Sequence, residues 1–242
     1  MLVAIPSKGR AGRTKSEKLF SNIATLYVPE NEKQDYLKTF GRVEGVPNSV
    51  FGITKTRNWI LKNTPEKYVV FVDDDVQAQG YVELLETKSK SRRLDESVWI
   101  QTFSRLFDVT EGMNYKIWGV STEGSTRATY PYNPFLFYSY VTASCMGIIN
   151  DGAYYFDESF QVKEDYELCL RHIKERGGIV AARYVFWQNE HWEKSGGCVD
   201  YRTQAMEADC IRRLMRMYPG MIRQVKKGGS KYSIMLDFKT KK

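Results

Sequence analysis

Short apolar runs alternate with helical patterns through the first third of the chain. The runs LVAIP, TLYVP and YVVFV, at 2–6, 25–29 and 68–72, have the length of strands. Helices are expected at 16–23, 35–40 and 54–64, the last with Thr54 as its N-cap. Because YVVFV has no polar position, it is typical of a strand covered on both faces. The alternation predicts an α/β fold with a central, mostly parallel sheet flanked by helices.

The remaining two thirds of the chain carry further helix and strand patterns, without a repeat or an obvious linker. Helices are expected at 97–110, 164–178 and 201–219, and strands at 115–121, 137–149 and 179–188. Within 164–178, Tyr166, Cys169, Leu170 and Ile173 share one helical face, and two glycines end the segment. We expect a single domain over residues 1–222, followed by a basic C-terminal extension at 223–242.

Composition, hydropathy and cysteine spacing indicate in which compartment the protein functions. Apolar residues make up 42% of the 242 residues and charged residues 27%, as in ordinary globular proteins. Neither the N-terminus nor the window 134–149 is apolar enough for a signal segment or a membrane span. The four cysteines, at 145, 169, 198 and 210, form no CxxC pair and are expected to be buried thiols. We expect a cytoplasmic protein that engages no membrane.

The charge balance points to an acidic partner. The formal net charge is +7, and the excess is concentrated in SKGRAGRTK near the start, KSKSRR at 88–93 and the C-terminal RQVKKGGSKY. A solvated surface explains any one of these runs. The three together favour a polyanion, and nucleic acid more than an acidic protein.

Three consecutive aspartates, Asp73, Asp74 and Asp75, follow the apolar run YVVFV directly. In an open α/β sheet, ligands bind beyond the carboxyl ends of the strands. Adjacent carboxylates raise one another's pKa unless a positive charge lies between them. Mg²⁺ or Mn²⁺ would supply that charge and keep positions open for phosphate oxygens. The alternative is a loop of solvated acids that caps the next helix.

Several segments, in order, resemble a known family. VAIPS, GITKTRN and FVDDDV are similar to the nucleotide-sugar-binding half of GT-A glycosyltransferases, a Rossmann-like fold. FDESFQVKEDYELCLR resembles the acceptor-side motif of that fold, and HWEKSGG its late histidine segment. More narrowly, AIPSKGR, YVPENEKQDY and NEHWEKSGGC resemble the TET/JBP-associated glycosyltransferases, a family rich in phage proteins. The resemblance implies a nucleotide-sugar half at 1–76, an acceptor half at 77–222, and sugar transfer to 5-hydroxymethylpyrimidines in DNA.

The resemblance also implies roles for individual residues. A UDP-sugar donor would be bound by Pro6, Ser7, Arg10, Glu30, Arg57, Asn58, Asp73 and Asp74. Mn²⁺ or Mg²⁺ would be bound by Asp75, Asp73 and His191, and His172 would be structural. Asp165, with Glu164 beside it, would take the proton of the acceptor hydroxyl while the metal neutralises the leaving diphosphate. A single base that acts opposite the leaving group implies inversion at the sugar carbon.

Other functions remain open at this stage. A GT-A transferase could act on a glycan, a lipid or a protein. A sugar-phosphate nucleotidyltransferase would need a glycine-rich basic loop after the first strand, of which SKGRAGR is a weak version. A DNA-binding module without activity would leave the acidic clusters at strand and helix ends unexplained.

Overall fold

A computed structural model describes residues 1–84, 89–122, 124, 133–189, 202–224 and 234–236. The strands are β1 Leu2–Pro6, β2 Ala24–Pro29, β3 Val43–Val46, β4 Tyr68–Val72, β5 Val76–Leu84, β6 Ser89–Arg92, β7 Ile117–Ser121, β8 Phe135–Leu136, β9 Cys145–Ile149, β10 Val180–Asn189, β11 Ile222–Gln224 and β12 Ile234–Leu236. The helices are α1 Lys33–Leu37, α2 Ile53–Asn63, α3 Glu96–Gly112, α4 Glu164–Arg176 and α5 Gln204–Met217. In this part of the chain no helix is both long and apolar enough to cross a bilayer.

The main sheet has β4 near its centre. Its strand order is β3-β2-β1-β4-β9-β7-β10-β5-β6, and β8 pairs with β10. The first four strands in this order are parallel neighbours. β9 runs against both β4 and β7, and β10 is parallel to β7 and antiparallel to β5. Most of these strands therefore point the same way, as predicted for the α/β fold.

Both faces of the sheet are buried. Val70 and Val72 of β4 pack into one apolar cluster together with side chains of α3, whereas Val69 and Phe71 pack into a second cluster with side chains of α2 and α4. The alternation of β4 residues between the two clusters confirms the expectation drawn from its uninterrupted apolar sequence. A third cluster joins α5 to the rest of the domain.

Some local predictions were wrong. Instead of a helix at 16–23, only a 3₁₀ turn forms at Ser16–Lys18, where the Ser16 hydroxyl donates to the carbonyl oxygen of Asp73 at 2.5 Å. Thr54 does not cap α2: the N-cap is Gly52, at φ 93°, and the Thr54 hydroxyl donates to the Phe160 carbonyl oxygen at 2.7 Å. The expected strand at 137–149 is regular only from Cys145 onward.

The C-terminal boundary stays a prediction. β11 and β12 pair antiparallel, with Arg223 opposite Met235, and Ile222 belongs to the third apolar cluster.

Three of the four cysteines, Cys145, Cys169 and Cys210, are buried free thiols as expected, and Cys198 lies outside the described residues.

Candidate active site

A large cleft lies where β1, β2, β3 and β4 end. It encloses about 1590 Å³ and is lined by residues from both halves of the chain. Pro6, Ser7, Arg10, Pro29, Val46 and Asp73 to Asp75 line it from these strand ends and the loops beyond them, and Tyr140, Glu164, Asp165 and Tyr166 line it from the segment before β9 and the start of α4. This is the position at which open α/β sheets bind ligands.

The backbone of the acidic triplet is held from two sides. The Asp73 N–H donates to the carbonyl oxygen of Ser144 at 3.0 Å, just before β9. The Lys15 N–H donates to the carbonyl oxygen of Asp74 at 2.9 Å, from the loop that follows β1. The triplet is therefore anchored to neighbouring loops of the sheet, which a solvated acidic loop would not be.

Asp74 is the most enclosed of the three, at 4% exposure. Its carboxylate accepts from the Ser7 hydroxyl and from Arg10 Nη1, the latter at 2.5 Å. The Tyr36 hydroxyl lies 2.8 Å from Ser7 Oγ and accepts from the Arg10 N–H at 2.9 Å. Both oxygens of Asp74 thus accept hydrogen bonds from the loop after β1, so Asp74 orients that loop.

Asp75 has one oxygen to offer. Oδ2 lies 3.3 Å from Arg10 Nη1, whereas the buried Oδ1 has no hydrogen-bond partner among the described residues. Burial, followed by the charge of Asp74, raises the pKa of Asp75 above its usual value, and Arg10 acts against this shift. A cation at Oδ1 would relieve both the repulsion and the unmet hydrogen-bonding capacity.

Arg57 connects the triplet to α4. Nη2 lies 3.1 Å from Asp73 Oδ1, and Nη1 lies 2.6 Å from Glu164 Oε1. The guanidinium group sits over the rings of Phe71 and Phe156, at 5.9 and 5.6 Å from their centroids. Arg57, expected from the sequence to contact the donor, therefore lies in the cleft between Asp73 and Glu164.

Both carboxyl groups that Arg57 joins hold protons more tightly than usual. Loss of water contact raises the pKa of Asp73 to about 7, Arg57 opposes the shift, and the charges of Asp75 and Asp74 add to it. Asp73 keeps 36% of its side chain exposed, whereas the Glu164 side chain is buried. Burial and the charge of Asp165 raise the pKa of Glu164 to about 7, again against Arg57.

Asp165 lies on the cleft wall at the start of α4. Oδ2 accepts from the Tyr140 hydroxyl at 2.5 Å, and Oδ1 accepts from the N–H of Tyr166 at 2.9 Å. The rings of Tyr140 and Tyr166 stack with centroids 3.9 Å apart. Burial and the charge of Asp165 raise the pKa of Tyr140 well above its usual range, so its hydroxyl stays a donor. Asp165 is therefore fixed in direction but accessible from the cleft.

Two predicted donor contacts have other tasks. Glu30 is exposed and its carboxylate lies against Gly45 of β3, where an added Cβ would meet Glu30 Oε2 at 1.6 Å. Asn58 is buried, donates to the Phe156 carbonyl oxygen at 2.9 Å and accepts from the Phe156 N–H at 2.8 Å. Neither lines the cleft. Residues near Glu30 do so instead, and Glu32 Oε2 accepts from the Gly9 N–H at 2.7 Å.

The two histidines have different outcomes. His172 is fully buried: its Nε2 accepts from the Lys116 N–H at 3.0 Å, and its Nδ1 donates to the Gly178 carbonyl oxygen at 2.7 Å. Burial lowers the pKa of His172 to about 4, so the ring is neutral and structural, as expected. His191 lies outside the described residues.

The residues fit a divalent ion that takes few protein ligands. In the described ranges, no three His, Cys, Asp or Glu side chains come together as a complete metal cluster. The unpartnered oxygen of Asp75 suits an ion such as Mg²⁺, which is often bound through one or two carboxylates and otherwise through water and phosphate oxygens. Asp75, with Asp73 beside it, would hold Mn²⁺ or Mg²⁺ in this way.

Sequence reasoning missed three residues of the site, Tyr36, Tyr140 and Asn189. Tyr36 lies in the short helix α1, and nothing in its sequence neighbours marks its hydroxyl as a partner of Ser7 and Arg10. Tyr140 lies in an aromatic-rich stretch, and its pairing with Asp165 spans 25 positions. Asn189 donates to Asp73 Oδ2 at 3.0 Å across 116 positions, and only its closeness to His191 in the sequence could have drawn attention to it.

The fold matches solved glycosyltransferases at low identity. Glucosyl-3-phosphoglycerate synthase from Mycobacterium tuberculosis, in complex with Mn²⁺ and UDP-glucose, matches with a TM-score of 0.53 at 11% identity, over 97% of this chain and 85% of that chain. TarS 1–349 from S. aureus, in complex with UDP-GlcNAc, matches with a TM-score of 0.52 at 11% identity, over 89% and 67%. At these identities the likeness shows a GT-A fold and nothing finer.

Other comparisons set the limits and the family. Against two further TarS 1–349 structures this chain spans 60% and 59% of their length, and against a longer TarS structure 37%. No curated protein matches the sequence. The family model described as TET-Associated Glycosyltransferase matches residues 1–197, which is most of the chain. The chain therefore belongs to the TET-associated glycosyltransferase family.

Proposed function

We propose that this protein transfers a sugar from a UDP-sugar to the hydroxymethyl group of 5-hydroxymethylcytosine or 5-hydroxymethyluracil in DNA. The observation that carries the proposal is a single cleft containing the acidic triplet after β4 and the Glu164-Asp165 pair of α4, joined by Arg57. Membership of a glycosyltransferase family supports the reaction class. The solved structures of similar fold that contain UDP-sugars support the choice of donor.

The donor would lie along the ends of β1, β2 and β4. Pro6, Ser7 and Arg10 form the rim of the cleft beside the triplet. When the donor binds, the Arg10 guanidinium, which now contacts Asp75, would donate a hydrogen bond to a diphosphate oxygen. A bound Mn²⁺ or Mg²⁺ supplies positive charge that stabilises the leaving diphosphate. Asp75 would bind the ion. Asp73 would orient the donor by contacting either its ribose or the bound ion.

The acceptor would approach from the side of α4. Asp165 would take the proton from the attacking hydroxyl, and the Tyr140 hydroxyl keeps the carboxylate pointed into the cleft. Because one base acts on the acceptor and no second carboxylate is needed as a nucleophile, we expect inversion, which gives a β-linked sugar from an α-linked donor.

DNA as the acceptor rests on charge and family. The formal net charge of +7 favours a polyanion, and a TET-associated enzyme would act on bases that carry a hydroxymethyl group. We place the protein in the cytoplasm of a phage-infected cell as part of DNA hypermodification. A glycan, lipid or protein acceptor is the competing proposal, and the fold of TarS or of glucosyl-3-phosphoglycerate synthase does not separate the two.

The test is a transfer assay followed by mass analysis of the nucleosides. The protein is incubated with Mn²⁺, a panel of UDP-sugars and duplex DNA that contains cytosine, 5-hydroxymethylcytosine or 5-hydroxymethyluracil. We expect hexosylated nucleosides only from hydroxymethylated DNA. Sugar transfer to a glycan panel with none to DNA would overturn the acceptor, and donor hydrolysis or transfer that is unaffected by EDTA would overturn the role of the metal.

Variants of the acidic pair sharpen the assay. Asp165→Asn should retain UDP binding and lose transfer by about 10³-fold or more, within the range attributed to general base catalysis. The matched control is Asp108→Asn on α3, an exposed acid outside the cleft, which should transfer normally. Full transfer by Asp165→Asn would remove Asp165 from the reaction.

A further inference from the structure

The end of β10 brings an asparagine to the acidic triplet. Asn189 is the last residue of β10 and pairs with Val76, the residue that follows Asp75. The register shifts at this point, because Gln188 pairs with Ala78 and Gln77 is left over. A bulge of this kind changes the direction of side chains and is frequent beside active sites. Here the bulge brings Asn189 to the triplet.

One hydrogen bond fixes the orientation of the Asn189 amide. Nδ2 donates to Asp73 Oδ2 at 3.0 Å. A carboxylate oxygen accepts and, when ionised, does not donate, so the reverse orientation would place two acceptor oxygens against each other. Nδ2 is therefore directed at Asp73, and Oδ1 is directed away from it.

That oxygen is buried without a partner. Asn189 is 8% exposed, lines the cleft, and its Oδ1 has no hydrogen bond from any described residue. Asp75 Oδ1 is in the same condition. Buried polar atoms are usually satisfied, so two unmet acceptors on residues that line the same cleft indicate a missing hydrogen-bond donor or cation. Asp73 itself offers less, because Arg57 and Asn189 already contact its two oxygens.

The two unpartnered oxygens, those of Asp75 and Asn189, are of the types that bind a divalent cation. A carboxylate oxygen and an amide oxygen are the ligand types that Mg²⁺, Mn²⁺ and Ca²⁺ take from proteins. Four carboxyl groups, those of Asp73, Asp74, Asp75 and Glu164, are contacted here by the guanidinium groups of Arg10 and Arg57. This balance leaves room for further positive charge. We propose that Asn189 is a ligand of the divalent cation and contributes its side-chain oxygen alongside Asp75.

The inference rests on the proposed metal-dependent function and extends it to a residue of this chain. Its test measures ion binding rather than activity. The free-ion electron paramagnetic resonance signal of Mn²⁺ is followed as protein is added, first with Mn²⁺ alone and then with UDP present. The variants are Asn189→Ala, which removes the oxygen, and Asn189→Asp, which keeps an oxygen but removes the donor to Asp73.

A ligand and a merely structural residue differ in these variants. If Asn189 binds the ion, Asn189→Ala weakens Mn²⁺ affinity by about tenfold or more, the scale seen when partners of a metal site are removed. Asn189→Asp then binds Mn²⁺ at least as tightly as the native protein, and its melting temperature rises more on Mn²⁺ addition, because the ion offsets repulsion from Asp73. If Asn189 serves only to hold Asp73, both variants lose affinity alike, and the proposal is overturned.

Controls separate the inference from the proposed function. Asn63→Ala makes the same change at an exposed residue of α2 outside the cleft and should leave Mn²⁺ affinity unchanged. Native affinity in Asn189→Ala together with loss in Asp75→Asn would reject Asn189 and keep the metal site. Absence of Mn²⁺ binding to the native protein, with and without UDP, would overturn both the inference and the metal-dependent function.

Discussion

Replacing Arg57 by methionine should destabilise the protein in a pH-dependent way. The Arg57 side chain is 4% exposed and lies between Glu164 and Asp73, at 2.6 and 3.1 Å. Methionine keeps the apolar stem on Phe71 and Phe156 and removes the charge. Removing one partner of a buried ion pair typically costs about 3–5 kcal/mol, because the remaining group must either keep an unpaired buried charge or bind a proton.

The pH dependence follows from Glu164. Its folded pKa of about 7 lies above its ordinary value of 4.5, so the native protein loses stability through this group as pH rises from about 4.5 to 7. Without Arg57 that pKa rises further. At pH 5 the group is protonated with or without Arg57, whereas at pH 8 it is ionised only when Arg57 is present. Between the folded pKa of Glu164 with Arg57 and its higher folded pKa without Arg57, each pH unit adds about 1.4 kcal/mol to the cost of the substitution.

Urea unfolding at pH 5 and pH 8, with EDTA present, measures the effect. We expect Arg57→Met to cost about 1–2 kcal/mol more at pH 8 than at pH 5, with Asp73 adding less because its side chain is one-third open to solvent. The control Lys67→Met removes an exposed cation beside Glu111 and should leave the free energy of unfolding nearly unchanged at either pH. If Arg57→Met loses the same free energy of unfolding at both pH values, the ion pair between Arg57 and Glu164 is refuted.

Three further outcomes are expected. Burial lowers the pKa of His172 to about 4, so the stability that its neutral ring provides is present above pH 6.5 and is lost towards pH 4, by up to about 3 kcal/mol. In urea unfolding, His172→Gln should lose less stability over that pH interval than the native protein. An equal loss in the two proteins would contradict the assignment. Gly147→Ala should cost at least about 2 kcal/mol, since its Cβ would lie 2.0 Å from the buried Trp118 ring, while Gly112→Ala, with open space around it, should cost little; equal unfolding free energies would refute the packing. Asn58→Ala should lower stability by about 1–3 kcal/mol and leave UDP affinity unchanged, and weaker UDP binding in a fully stable variant would restore Asn58 to the donor site.

Where the sequence signal was local, prediction worked. β1, β4, α3, α4 and β10 were all expected, because apolar runs and helical spacing reflect burial of neighbouring positions. β5 and β6 were not expected. β5 begins directly after Asp75 and contains Gln77, Gln79 and Gly80, residues that a local pattern does not mark as strand. Its place in the sheet comes from pairing with β10, more than 100 positions later, which is a tertiary effect.

The same distinction applies to the site. Asp73 to Asp75 stand out in the sequence because three acids follow an apolar run, whereas the Glu164-Asp165 pair was chosen by resemblance, and both groups line the cleft. Glu30 and Asn58 were chosen by resemblance alone, and the structure directs their side chains to Gly45 and to the Phe156 backbone. Arg57 was expected to contact the donor, which stays a prediction. Its contacts with Asp73 and Glu164, the latter across 107 positions, became visible only in the fold.

The most direct test of the metal-bound donor is calorimetric titration with UDP, in Mn²⁺ and in EDTA. The unpartnered oxygen of Asp75 should make Mn²⁺ strengthen UDP binding by about tenfold or more in the native protein. In Asp75→Asn that enhancement should disappear, whereas Asp108→Asn should retain it. Equal UDP affinity of the native protein in Mn²⁺ and in EDTA would contradict the role assigned to the acidic triplet.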